Sequence, residues 1–584
     1  MIVTQALRVW SNRLLLVPVM FACCTLAVAQ TSTQKPSASA PAQPISANEP
    51  AVGVITGSVV NESGQPLAGV TVNVWEARQG AARTTITDAE GNFRVRGLTP
   101  SLYFVSPSLP AYVRQPFEPW PSTNYYRIGD TIRITLTPGG VITGRVTNAD
   151  GDPVIGVGVR ALMVRNAAGE AARIGAYAAS EGTTDDRGVY RMFGMPAGSY
   201  VVSAGGQTSR EPFKLNPYDD DVQTYAPSST RDTAAEIVVR SGEESAADIR
   251  YRGEPGHVVS GKVKIPIDAG GSVSLTPVGS EFPLAYAYQN PGGGGFAFEG
   301  VADGEYEIVG QQIAAVTGVA SDVPTSEPQR IIVKGADVTG LELVTRPLAT
   351  LSGRIVLDQA KITTCEGKRR PLFSEMVVAL QRPERDDKDR LPFLRIFAGP
   401  AHPDASGNFV MRNLTPGKYL VEPRFFARYW YLDSISVTAT PRIDAAANWT
   451  NVKFGDQLSN FTITLAEGAA SIRGNVKTAN ASELPTGLAV YLVPAEREKS
   501  GDVLRYFVTS IEANGAFALN NLPPGRYDTV VQPLDATTST LFKLRLPEAT
   551  EARTKLRRAA ETQKTDLELK PCQNLTDHDV TFKP

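Results

Sequence analysis

Apolar and polar residues alternate in short runs along most of the chain. Ile55, Gly57 and Val59 fall on one face of a run, and Thr56, Ser58 and Val60 on the other. That period of two predicts a strand. Val70-Thr-Val-Asn-Val-Trp75 resumes the alternation, and Ile132-Arg-Ile-Thr-Leu136 repeats it. Asn61-Glu-Ser-Gly-Gln-Pro66 and Asn148-Ala-Asp-Gly-Asp-Pro153 are turns by composition. Thr87-Asp88-Ala-Glu-Gly91-Asn-Phe93 reads as a hairpin. Asp88 can bond its own turn backbone there, and Gly91 can take positive φ without steric cost. Short strands separated by frequent turns predict β-sandwiches.

One pattern recurs five times: Gly, any residue, an aromatic, four residues, an aliphatic, four residues, Tyr. Its copies are Gly91, Phe93, Leu98, Tyr103; Gly188, Tyr190, Met195, Tyr200; Gly294, Phe296, Val301, Tyr306; Gly407, Phe409, Leu414, Tyr419; and Gly515, Phe517, Leu522, Tyr527. The interval from aromatic to Tyr is ten residues in every copy. Upstream of each stands an opening glycine, Gly57, Gly144, Gly261, Gly353 or Gly474, at steps of 87, 117, 92 and 121 residues. The unit is therefore a whole domain rather than a solenoid repeat. Each Tyr, if buried, contributes about 1.5–3 kcal/mol and brings a hydroxyl that needs a partner.

The pattern G-x-V…G-x-P-x-x-G-V-x-V…T-D-x-x-G-x-F…G-L-x-P-G-x-Y-x-V resembles the carboxypeptidase regulatory-like domain. The first copy carries it through Gly57, Gly64, Pro66, Gly69-Val70, Asp88, Gly91, Phe93, Gly97-Leu98, Pro100 and Tyr103, with Ser101 where the family prefers Gly. Copies two and four match well. Copy three has Pro291 in place of the turn Asp, and copy five has Glu512 there. The resemblance implies an all-β chain of tandem Greek-key, transthyretin-like antiparallel β-sandwich domains, arranged as beads on a string. It also implies a carbohydrate-binding-like architecture. The expected boundaries are a signal peptide at 1–29, a linker at 30–52, sandwiches at 53–139, 140–252, 253–347, 348–467 and 468–572, and a tail at 573–584.

The 584 residues are too many for one core. With 51 Gly and 42 Pro the chain is turn-rich. A net charge of −2 makes no electrostatic case for nucleic acid or an anionic membrane. At the start, Arg8 and Arg13 precede an apolar run from Leu14 to Leu26 and the small-residue site Ala27-Val28-Ala29. These are the parts of a secretory signal peptide. The run is too short to span a bilayer, and no membrane span is expected once it is removed. The expected location is the periplasm, the cell surface or outside the cell. Lipid anchoring through Cys23 or Cys24 is the alternative, with bulky Phe21 against it. Residues 30–52 are rich in Ser, Thr, Ala, Pro and Gln and read as a linker. Cys365 and Cys572 remain after signal removal, 207 positions apart. In an oxidising compartment an even pair points to a disulfide; two unrelated thiols are the alternative.

Candidate chemistry is sparse. Neither His257 nor His402 starts the His-x-x-Glu of a zinc peptidase, and no Gly-x-Ser-x-Gly elbow or P-loop occurs. An enzyme, a metal centre and a cofactor are not expected, and the three histidines read as surface or turn residues. Asn148 to Asp152 and Asp219 to Asp221 lack the twelve-residue calcium loop and read as turns. Lys264 and Lys477 lie near first strands, where a Lys–Asn isopeptide bond would need a buried Lys beside an acid. The binding candidates are aromatic: Trp120, Tyr125 and Tyr126 in one cluster, and Phe425, Phe426, Tyr429, Trp430 and Tyr431 in another. Exposed rings stack on sugar faces; buried ones cap a sandwich or fill a domain junction. The expected partners are polysaccharide or envelope proteins, for a carbohydrate-binding, adhesive or spacer role. Alternatives are an accessory module of a peptidase system and a protein-binding scaffold.

Overall fold

The computed structural model describes residues 53–582 except 79–81, 116–123, 173–178, 207–216, 267–268, 281–282, 292–294, 314–321, 360–364, 366–369, 383–398, 438–448, 479–483, 486, 513, 535–543, 546–548 and 564. The signal segment and linker, together with Trp120 and Gly294, lie outside the described residues.

One arrangement recurs five times. Each unit opens with a strand: Gly53–Val60, Gly140–Thr147, His257–Lys264, Ala349–Asp358 and Ala470–Thr478. That strand pairs antiparallel with the one carrying the repeat aromatic: Asn92–Leu98, Val189–Met195, Phe296–Val301, Asn408–Leu414 and Ala516–Leu522. In the facing layer, the strand that opens on the repeat Tyr or just before it pairs antiparallel with the unit's second strand, as Tyr103–Ser108 does with Thr71–Glu76 and Gly417–Phe425 with Met376–Gln381. In the third unit the layers join through Thr325–Ser326 into one eight-stranded sheet. Apolar side chains from both layers meet in a separate core within each unit. The chain is thus an all-β succession of sandwiches.

The repeat residues explain themselves in this geometry. The opening glycine is the cross-strand partner of the repeat aromatic in every unit: Gly57 with Phe93, Gly144 with Tyr190, Gly261 with Phe296, Gly353 with Phe409, and Gly474 with Phe517. These five aromatics are all buried. At Gly353 an added Cβ would meet the Phe409 ring and the Phe461 Cβ, each at 2.7 Å, besides the Phe461 carbonyl. Glycine leaves the space the ring fills.

Each repeat Tyr is also buried, and its hydroxyl donates to the carbonyl four residues earlier. The bonds are Tyr103 to Thr99 at 2.8 Å, Tyr200 to Pro196 at 2.8 Å, Tyr306 to Ala302 at 2.9 Å, Tyr419 to Thr415 at 2.9 Å and Tyr527 to Pro523 at 2.9 Å. Such a corner ties the turn before the strand to the core. Gly91, Gly188, Gly407 and Gly515 take φ between 73° and 87°. In the first, second and fourth units an Asp carboxylate closes the same turn. Asp88 Oδ1, for example, accepts from the backbone of Glu90 at 3.1 Å and Asn92 at 2.7 Å. In the second unit the Arg187 side chain bonds Asp185, and this with the Val189 backbone amide holds that carboxyl down at about 2.

Three features differ from the sequence expectation. First, the opening strand of each unit also pairs parallel with the unit's last strands, as Gly53–Val60 does with Thr131–Pro138. Alternation reports burial, not strand direction. Second, the segment expected as a tail supplies strands: Asn574–Leu575 and Val580–Phe582 pair parallel with Ala470–Thr478. Third, a helix spans Thr550–Gln563, burying Arg553, Leu556 and Ala560. Arg553 buries its stem there and donates to the Leu544 carbonyl at 2.9 Å.

Candidate functional site: the seams between sandwiches

The fourth residue after each repeat aromatic is left-handed. These residues are Gly97 at φ 76°, Gly194 at 70°, Gly300 at 65°, Asn413 at 59° and Asn521 at 56°. The pairing register slips at the same place in all five units, which marks a β-bulge. Only Gly and, at a smaller cost, Asn adopt this backbone readily.

In units two to five the bulge is where the preceding sandwich docks. The Cα of Ala111 lies 3.7 Å from a Cβ added at Gly194. A Cβ at Gly300 would collide with the carbonyls of Asp219 and Asp221. Asn413 Oδ1 accepts from the Val323 amide at 2.8 Å. Asn521 Nδ2 donates to the carbonyls of Ala427 and Trp430, both at 2.7 Å. In each case the docking segment follows the Tyr strand of the preceding unit. The seams carry further contacts. Arg160 donates to the Leu284 carbonyl at 3.0 Å between units two and three. Arg412 pairs with Asp322 at 3.1 Å between three and four. Val503 and Leu504 of the fifth unit enter the fourth unit's core. The disulfide Cys365–Cys572 joins the same two units.

A further seam skips along the chain: the first sandwich packs on the fourth. Leu102, Tyr125 and Val377 form a buried cluster with Ala77, Phe104 and Phe426 against it. Ser374 Oγ donates to the Pro100 carbonyl at 2.7 Å. Arg127 Nη1 lies 3.7 Å from Glu375 Oε2, and its guanidinium sits 5.6 Å over the Phe426 ring. The beads touch, and not only their neighbours in sequence.

A seam encloses Tyr125 and a core encloses Trp430 among the aromatic candidates. Tyr125 is 8% exposed between Phe104, Phe426 and His402, and Trp430 is 1% exposed in the fourth core. Neither ring has a face for a ligand. Tyr126 is half-buried, and its hydroxyl accepts from Arg114 Nη2 at 3.1 Å. Tyr429 is half-buried at φ 70°, and Tyr431 is half-buried in the strand Trp430–Val437. The two aromatic clusters sit in segments that follow Tyr strands, where composition cannot distinguish a junction from a free surface. The sequence did hold a signal for the bulge: Gly, Gly, Gly, Asn, Asn at one fixed offset from the aromatic. Lys264 and Lys477 are exposed and pair with Glu342 at 2.8 Å and Asp579 at 2.5 Å. Among the described residues no group of three or more His, Cys, Asp or Glu could hold a metal ion.

His402 is half-buried in the first-to-fourth seam rather than on the surface, with its Nδ1 enclosed and unpartnered. Burial, helped by the charge of Arg78 and opposed by the Met376 backbone, pulls its pKa down to about 4. A neutral ring in the closed seam that charges at its ordinary 6.5 once released gives stability fully present above 6.5. That stability is lost as pH falls toward about 4. The whole effect is at most about 3 kcal/mol, reduced by the solvent that still reaches the ring. We expect the distance between spin labels on the first and fourth sandwiches to broaden between pH 6.5 and 4. In His402→Phe that broadening should be absent. Equal pH dependence in both chains would remove His402 from the account.

The class is therefore a tandem β-sandwich protein whose repeated residues serve core packing, turn closure and docking. Its first sandwich is a carboxypeptidase regulatory-like domain: residues 54–124 match that family's model. No curated protein matches the chain in sequence. Among solved structures it is similar to the TIE protein of Bacillus anthracis, at 13% identity and a TM-score of 0.13, over 50% of this chain and 51% of that one. The chain thus spans about half of that structure. It is also similar to GBS52, the minor pilin of Streptococcus agalactiae, at 11% identity and a TM-score of 0.20, over 34% of this chain and 96% of that one. A third is BcpA, the major pilin subunit of Bacillus cereus, at 10% identity and a TM-score of 0.13, over 50% of this chain and 99% of that one.

Proposed function

We propose that this chain is an exported, non-catalytic scaffold that holds a fixed geometry at the cell envelope or beyond it. The observation that carries this reading is the docking of four successive sandwiches through one repeated bulge position. A flexible tether has no use for it. The disulfide suits an oxidising compartment, as does the signal-like start of the sequence. No helix among the described residues is long and apolar enough to cross a membrane. Envelope proteins are the partners this reading favours. A glycan-binding role has less support, because Tyr125 and Trp430 spend their faces on packing.

The test is rigidity across the seams. Spin labels at Lys334→Cys and Lys555→Cys, with the native disulfide intact, should give one narrow distance distribution spanning two seams. A broad distribution, as from freely jointed domains, would overturn the scaffold reading. Glycan-array binding abolished by Tyr126→Ala or Tyr431→Ala would overturn the preference against sugar.

A further inference from the structure

A cavity of about 330 Å³ lies between the fourth and fifth sandwiches. Its wall carries the apolar side chains of Phe425, Leu432, Leu504, Phe507 and Leu519 beside the polar Thr509, Asn520 and Asn521. Into this wall the structure sets one cation, Arg545. The Arg545 Nε is enclosed and has no hydrogen-bond partner. Among the described residues no carboxylate lies within ion-pair distance of its guanidinium.

The carboxylates that attract Arg545 from further off are Glu422 and Asp502. Both are engaged: Glu422 with Arg424 at 3.5 Å, and Asp502 with Arg505 at 3.5 Å and with the Leu504 amide at 3.0 Å. Glu422 keeps its Oε2 enclosed and unpartnered, but neither carboxylate lines the cavity, and among the described residues Arg545 is the one charged side chain in its wall. Burial pulls the Arg545 pKa down, yet a guanidinium starts so high that it stays charged in the neutral range. Arg545 is half-buried, and an enclosed Nε–H without an acceptor is costly. Its geometric complement is a carboxylate, which a guanidinium can hold through two parallel hydrogen bonds. Five large apolar side chains and one cation in a mixed wall, at a volume within the range of small-molecule sites, describe a pocket for a ligand with an apolar body and an anionic head.

We infer that the cavity between the fourth and fifth sandwiches binds a small organic carboxylate with an apolar body, its head on Arg545 and its body among Phe425, Leu432, Leu504, Phe507 and Leu519. The ligand would bridge the two sandwiches and so add to the seam that Asn521 and the disulfide already hold. This goes beyond the scaffold reading and does not depend on it.

4-Phenylbutyrate serves as the probe and neutral 4-phenylbutanamide as its control, each titrated into the mature chain by calorimetry and followed by saturation-transfer NMR. The acid should bind saturably, and the amide at least about tenfold more weakly, as expected when one charge-assisted pair is lost. Arg545→Met should weaken the acid by a similar factor and leave the amide unchanged. Thr509→Phe, which adds a ring at a lining position and keeps Arg545, should abolish binding of both; it decides the matter even if Arg545→Met does not fold. The proposal is overturned by the absence of saturable binding of the acid, by equal affinities for acid and amide, or by binding that survives Thr509→Phe.

Discussion

Replacing Cys365 and Cys572 together with serine should lower the stability of the fourth and fifth sandwiches by about 5 kcal/mol and leave the second and third unmoved. The bond joins residues 207 positions apart. In the chain-entropy account, a loop of that length is held far from its unfolded freedom, so cutting the bond favours the unfolded side. Both ends are seated. Cys365 is 3% exposed, and the Cys572 amide donates to the Gly468 carbonyl at 3.0 Å. Hydrogen-exchange mass spectrometry in increasing denaturant reads the effect segment by segment. Peptides from the last two sandwiches should lose protection at lower denaturant, and peptides from the second and third at the same denaturant as before. Unchanged protection throughout would show that the seam alone supplies the stability.

Gly353→Val should cost the fourth sandwich more than about 3 kcal/mol, beyond ordinary overpacking. The added side chain meets the Phe409 ring on one side and the Phe461 backbone on the other. Gly353 sits in a strand paired on both sides, so neither neighbour can yield without breaking a ladder. A domain has only about 5–15 kcal/mol to lose. Since the first sandwich packs on the fourth through Val377 and Phe426, its protease protection should fall too. Gly399→Val is the control, since nothing lies within 4 Å of a Cβ added there. Limited proteolysis with thermal scanning separates the two. If Gly353→Val melts where Gly399→Val does, the glycine–aromatic pairing is not what fixes the strand.

Much of the architecture could be read before any coordinates. The ten-residue interval from aromatic to Tyr reports a local geometry: a hairpin, a bulge and a corner, all within one stretch of chain. Local geometry leaves its residues at fixed offsets, so Gly91, Phe93 and Tyr103 announce themselves. The parallel pairing of first and last strands left no such trace, because its partners are far apart and alternation is blind to direction. Docking was legible only in half. The acceptor position is visible as Gly or Asn at a constant offset, but the docking segments share no motif. Ala111, Asp219, Val323 and Trp430 meet the next sandwich mainly through backbone and packing, which many side chains can satisfy. For the same reason Tyr125 and Trp430 can each be read in sequence as a sugar platform or as a packing residue, and burial separates the two readings. Arg545 was invisible, since a lone arginine in sequence says nothing about the missing counter-charge.

The contact between the first sandwich and the fourth changes how the chain would answer a pull. Tension applied between its two ends passes from the first sandwich directly into the fourth, and the second and third hang slack until that contact shears. The disulfide then withholds the stretch between its cysteines, whose extended contour is on the order of 700 Å. Under load the protein would first release a short, reversible length by undocking and then stiffen. Its extensibility is therefore set by a seam and a covalent clasp rather than by the unfolding strength of its individual sandwiches.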